Sequence, residues 1–212
     1  MIQPEYYVGT THAYDDGTIA TRMSSDGGRT WSEQRILWSV EPGFSAQNVV
    51  ALAAPSGRII IWTARYEYGP SPHIRHPSWW SHSNDHGRTW APFALFERSE
   101  VYNCYYVTEA IDTSDGLLAG DATFPATGVG NCHTRIWHSA DDGNTWKVRS
   151  NLTNPAENHG DEIALMETKP GTILCLLRDR SRTDTFRLWS HDKGHTWSDR
   201  ESMNDMLGCV LH

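Results

Sequence analysis

The stretch Ser24-Ser25-Asp26-Gly27-Gly28-Arg29-Thr30-Trp31 decides the fold, because its pattern S-x-D-x-G-x-T-W returns three more times along the chain. The later copies begin at Ser83, Ser139 and Ser190, carry Asp85, Asp141 and Asp192, and close on Trp90, Trp146 and Trp197. Counted from Asp26, successive aspartates lie 59, 56 and 51 residues apart. Five fixed positions kept through four copies exclude coincidence. A period in this range marks a repeat architecture in which each unit stacks on the next.

The motif has the physics of a hairpin turn. An aspartate accepts hydrogen bonds from backbone N–H groups across a tight loop, and glycine supplies the positive φ the loop needs. Thr and Trp open the next strand, where the indole covers the turn and packs between sheets. Asp26, Asp85, Asp141 and Asp192 admit two readings, turn stabilisation or the binding of an ion or ligand. Turn stabilisation is preferred, because each carboxylate has local donors to satisfy it.

One order recurs between the boxes: an apolar segment, a glycine turn, a second apolar segment, a variable stretch, and a strand running into the next box. In the second unit these are 48–54, Pro55-Ser56-Gly57, 58–65 and 79–83. The third has 105–111, Ser114-Asp115-Gly116, 117–123 and 134–139; the fourth has 162–168, Lys169-Pro170-Gly171, 172–178 and 186–190. With the strand after each box this makes four antiparallel strands per unit, the plan of a propeller blade. No segment carries a 3.6-residue apolar period, so helix should be scarce.

Composition agrees. The 212 residues include 10 Trp, 8 Tyr, 17 Gly and 10 Pro, a load that suits short strands between turns better than helices. A formal net charge of -8, with no Lys/Arg run to offset it, argues against a nucleic-acid partner. No apolar run reaches 18 residues, so no membrane span is expected, and MIQPEYYVGT lacks the features of a signal peptide. Cys104, Cys132, Cys175 and Cys209 show no Cys-x-x-Cys spacing, which speaks against a zinc or thioredoxin-type site. Disulfides and buried free thiols both stay open.

With its boxes and their spacing, the chain resembles the sialidase (neuraminidase) superfamily, whose Asp boxes (BNR repeats) join the third and fourth strands of successive blades. The likeness covers essentially the whole chain. It implies an all-β, six-bladed propeller, with about four blades in residues 1–212 as a single domain. It further implies a glycosidase that holds the substrate carboxylate with three arginines. A Tyr nucleophile is activated by a Glu, and an Asp serves as acid/base. The partner so implied is a glycan substrate, without cofactor or metal, and the implied location is extracellular or periplasmic.

The most specific local match is EIALMETKPGTILCLLRDRSRTDTFRLWSHDKGHTW, residues 162–197. Glu162 and Arg178, 16 residues apart, fall where the family carries a Glu at the start of a blade's first strand and an Arg at the end of its second. The resemblance gives Glu162 the activation of the nucleophile and Arg178 a bidentate pairing with the carboxylate. A rim salt bridge with no catalytic duty is the competing reading.

Elsewhere the match thins. The acid/base would come from Tyr14-Asp15-Asp16-Gly17, with Asp16 the candidate beside Asp15, although Asp-Gly between strands is also a standard hairpin turn. Ala46 stands where the family places a sugar-contacting Asp. The upstream Arg-Ile-Pro motif does not occur in this sequence, and the third arginine and the nucleophile are expected beyond His212. Two closures stay open: part of a six-bladed ring, which is preferred, or a four-bladed ring whose opening blade takes its first strand from 206–212.

Three further features carry less. His73, His76, His82 and His86 flank Trp79 and Trp80, but Pro70, Pro72 and Pro77 break any helix that would aim two histidines at a metal. The same aromatic stretch offers a surface for stacking on a sugar ring. Asn151-Leu152-Thr153 is a glycosylation sequon. Three functions therefore compete: a sialidase-like hydrolase, a non-catalytic propeller binding glycans or proteins, and a same-fold hydrolase of another sugar.

Overall fold

The computed structural model describes residues 2–6, 17–67, 74–97, 104–124, 132–154, 160–179 and 184–203, with side chains left out at 2–6, 74, 75, 104, 105 and 124. Among the described residues there are four antiparallel sheets and no helix. The first holds β1 (Ile2–Tyr6), β2 (Thr18–Met23) and β3 (Arg35–Ser39). The second holds β4 (Phe44–Ala53), β5 (Ile59–Glu67), β6 (Ile74–Ser83) and β7 (Ala94–Leu95). The third holds β8 (Cys104–Thr113), β9 (Gly116–Phe124), β10 (His133–Ser139) and β11 (Lys147–Asn151). The fourth holds β12 (Ile163–Lys169), β13 (Thr172–Arg178), β14 (Thr185–Ser190) and β15 (Glu201–Ser202).

Strands neighbour one another in chain order within every sheet, the meander of a propeller blade. In blades 2 to 4 the Asp box links the strands that lie third and fourth in that order, β6 to β7 for instance, and in blade 1 it links β2 to β3. Among the described residues blade 1 has three strands rather than the expected four, and the segment 206–212 proposed to complete it lies outside them. The outermost strands β7 and β15 are only two residues long, which leaves little edge for another chain to pair with.

The boxes behave as turns. Asp85 Oδ1 accepts from Ser83 Oγ at 2.8 Å and from the Thr89 backbone N–H at 2.8 Å, while Oδ2 accepts from Thr89 Oγ1 at 2.6 Å. Asp26, Asp141 and Asp192 repeat these three bonds on their own Ser and Thr. In the first three boxes the Trp indole N–H donates to the carbonyl of the box glycine, whereas Trp197 reaches Ser150 Oγ in blade 3 at 3.1 Å.

The core sits between blades rather than within them, because adjacent sheets pack face to face: blades 2 and 3 bury both faces, and blades 1 and 4 each bury the face turned to their neighbour. Ile19, Ala46 and Ile61 fill the gap between blades 1 and 2. Trp62, Ile60, Leu117 and Trp137 fill the next, and Leu118, Ile136, Ile173 and Leu188 the last. Trp62 is fully buried, edge-on to Trp146 at 5.4 Å and to Phe96 at 5.9 Å. Gly143, at φ +78°, presses on Ile60 of the preceding blade, where any Cβ would overlap the isoleucine δ carbon. Cys132 and Cys175 are buried free thiols.

Register defines two ends. Ile59 opposes both Ala53 and Ser83, so the first hairpin turn and the Asp box of a blade share one end. That end is laced by polar contacts between blades: Ser56 to Asp142, Arg58 to Asn144, and Lys193 to Asp115, which Arg149 of the same blade also holds. The other end collects the starts of β4, β8 and β12 and the ends of β5, β9 and β13. Glu162 and Arg178 lie there.

Candidate functional site

Glu162 immediately precedes β12 and Arg178 closes β13, so the β12–β13 ladder sets them side by side. The Arg178 backbone N–H donates to the Glu162 carbonyl at 3.0 Å, extending the ladder by one pair. Their side chains meet as well, with Arg178 Nη1 3.0 Å from Glu162 Oε2. Arg178 Nη2 lies 3.1 Å from Oδ2 of Asp161, a carboxylate only 1 % exposed. Tyr106, buried on β8, donates its hydroxyl to Asp161 Oδ1 at 3.3 Å.

Segment 160–162 is fixed from blade 3. Gly160 donates its N–H to the Cys132 carbonyl at 2.9 Å, and the Asp161 carbonyl accepts from Thr134 Oγ1 at 3.2 Å. Burial alone would lower the Arg178 pKa, but Asp161 and Glu162 outweigh it and raise the value, so the guanidinium stays charged at any working pH. A cavity of about 310 Å³ opens beside the pair, walled by Asn48, Val50, Tyr106, Thr108, Glu162 and Ile163 from three blades. Asn48 sits on a β4 irregularity at φ 52°, a left-handed conformation uncommon outside glycine. It donates Nδ2 to Tyr66 Oη at 3.3 Å.

The other sequence candidates fall as follows. Asp15 and Asp16 lie outside the described residues, as does His73. Ala46 is fully buried between blades 1 and 2, so the polar group that β4 offers to the cavity is Asn48. Asp26, Asp85, Asp141 and Asp192 stand at the opposite end from Glu162, their carboxylates occupied by their own turns. His76 pairs with Glu67 at 3.2 Å, His82 packs on Trp80, and His86 belongs to the second box, so these three histidines do not converge. Trp79 stacks on Trp38 of blade 1 at 5.3 Å, and Trp80 joins the Phe96 cluster; both indoles serve packing between strands and blades.

Two more arginines stand at the same end in closed settings. Arg135 donates Nη2 at 2.6 Å and Nε at 3.0 Å to Oδ2 of fully buried Asp121, with Nε also 3.3 Å from Oδ1, and Oδ2 accepts from Trp137 Nε1 at 2.8 Å as well. Arg65 lies over the Phe44 ring at 3.7 Å and pairs with Glu41. Sequence reading missed Asp161, Tyr106 and Asn48. The Asp-Glu dipeptide before β12 was an available signal for the first; the other two have none that is local.

The sequence matches the family described as BNR repeat-like domain over residues 6–206. The chain belongs to that family. This BNR repeat-like chain is 20% identical to a sialidase of Paraclostridium sordellii over 92% of its own length and 52% of the relative's. It thus spans about half the length of that curated relative. Among solved structures it superposes on the NanB sialidase of Streptococcus pneumoniae with a TM-score of 0.72 at 15% identity, covering 95% of this chain and 49% of that one. A protein of unknown function from Dyadobacter fermentans gives 0.76 at 18% identity, with 93% and 61% covered. These likenesses establish the sialidase-type propeller fold, four blades of which this BNR repeat-like chain supplies.

Proposed function

We propose that the chain carries one side of the catalytic centre of a sialidase-type glycoside hydrolase that removes a terminal acidic sugar from a glycan. The observation that carries this reading is the contact of Arg178 with Glu162 at the end of the blades opposite the Asp boxes, beside a cavity walled by three inner strands. Arg178 would pair with the sugar carboxylate. Glu162, 42 % exposed, would accept the proton of a tyrosine hydroxyl as it attacks the anomeric carbon. Asp16 would then give a proton to the departing glycan oxygen, and a location outside the cytoplasm belongs to the same proposal.

One observation favours a second reading. Ala46 is closed into the core and Asn48 takes the place at the cavity, so the sugar ring meets an amide rather than a carboxylate from β4. A hydrolase of the same fold acting on a different sugar follows from that exchange, and product analysis on a glycan panel separates the two. The first reading is tested with a fluorogenic sialoside and the full protein. Turnover is expected, with kcat down by about 100-fold or more in E162Q and R178A; equal turnover in both variants would end the proposal.

A further inference from the structure

Arg178 is held by two carboxylates of different character. Asp161 is buried to 1 % exposure and fixed by the Tyr106 hydroxyl and by its own backbone contact to Thr134. Glu162 is 42 % exposed, and among the described residues its carboxylate touches Arg178 alone. The guanidinium has five N–H donors, and its Nε is buried without an acceptor among the described residues. A fixed cation with a buried spare donor and one solvent-facing partner is arranged to trade that partner for another anion.

We propose that Asp161 is the permanent counter-ion of Arg178 and Glu162 its exchangeable one, so that a ligand carboxylate binds by displacing Glu162. The inference rests on the reading of Arg178 as a carboxylate holder and adds an order of events. Glu162 is tied to Nη1, where its charge is spent on the guanidinium. The incoming carboxylate takes that place, and Glu162 is released to accept a proton from the nucleophile. Only hydrogen-bond partners change, and no covalent bond forms or breaks. Asp161 is then a positioning residue, since it keeps Arg178 in place while its second partner leaves.

The test is an NMR titration of the full protein with two probes, acetate and N-acetylneuraminic acid, in wild type, E162Q and D161N. Both variants remove one negative charge beside the same guanidinium. With exchange, E162Q binds acetate about two- to fivefold more tightly, the worth of a half-exposed ion pair. D161N gains nothing, because Arg178 loses its fixed hold. Equal tightening in both variants reduces the effect to net charge and overturns the assigned roles, as does an unchanged affinity in E162Q. If D161N does not fold, Y106F takes its place, since it loosens Asp161 without changing charge; tighter acetate binding in Y106F would count against the proposal. Acetate exchange without binding of the sugar would leave this inference standing and remove the sialidase reading instead.

Discussion

Gly160 rests on the backbone of His133 with no room for a side chain: a Cβ built on it would overlap the His133 Cα and carbonyl carbon. This contact brings the chain from blade 3 into blade 4 at one fixed point, one residue before Asp161 and two before Glu162. The site geometry therefore depends on a glycine that touches neither Arg178 nor the cavity.

G160A is expected to displace the Asp161–Glu162 segment while the blades stay folded. Forcing a methyl into such a contact costs about 1–3 kcal/mol. A misplacement of this kind lowers kcat/KM by about 10- to 100-fold. Urea unfolding and sialoside turnover, measured on the same preparation, check both halves. A fully active G160A protein would show that the position of this segment is not critical.

Trp62 is the largest of the fully buried side chains and joins blades 2 and 3 through Trp146 and Phe96. W62A should lower stability by about 3–5 kcal/mol, the range for truncating a buried aromatic. Chemical denaturation reads this directly. A loss below about 1 kcal/mol would mean that the blade 2–3 gap collapses on the cavity.

Acid should loosen the Asp-box end first. Hydrogen bonds from Thr145 and Thr196 hold the Asp141 and Asp192 carboxyls down at about 2, and Asp26 and Asp85 lie lower still, held by Thr30 and Thr89. A lowered native pKa stabilises the fold above the unfolded value of about 3.9, and the contribution is lost as pH falls through the native value. Melting temperature should hold between about pH 7 and 5 on this account, then fall between about pH 4 and 2. Solvent screens these exposed groups, so each contributes modestly. D141N/D192N should flatten the acid limb, and an unchanged limb would assign acid sensitivity to other carboxylates.

What was legible in the sequence was what is local. An Asp box satisfies its carboxylate within a few residues, so four copies could be read as turns before any fold was known. The hairpin around Gly171 was equally plain, and 172–178 was placed to the residue. The ladder position of Glu162 against Arg178 followed from that hairpin. What was not legible depends on residues far apart in sequence. Tyr106 meets Asp161 across 55 positions and Ser56 meets Asp142 across 86, and neither partner announces the other locally. Trp79 read as a surface platform because its stacking partner, Trp38, comes from the preceding blade. The irregularity that turns Asn48 toward the cavity is a backbone event with no glycine to mark it.

The most direct measurement is kcat/KM of the full protein for a sialoside and for its carboxyl methyl ester, in wild type and in R178A. If Arg178 holds the sugar carboxylate, wild type prefers the free acid by about 100-fold or more, and R178A brings the two substrates within a few-fold of each other. A preference that survives intact in R178A would contradict the assignment of Arg178.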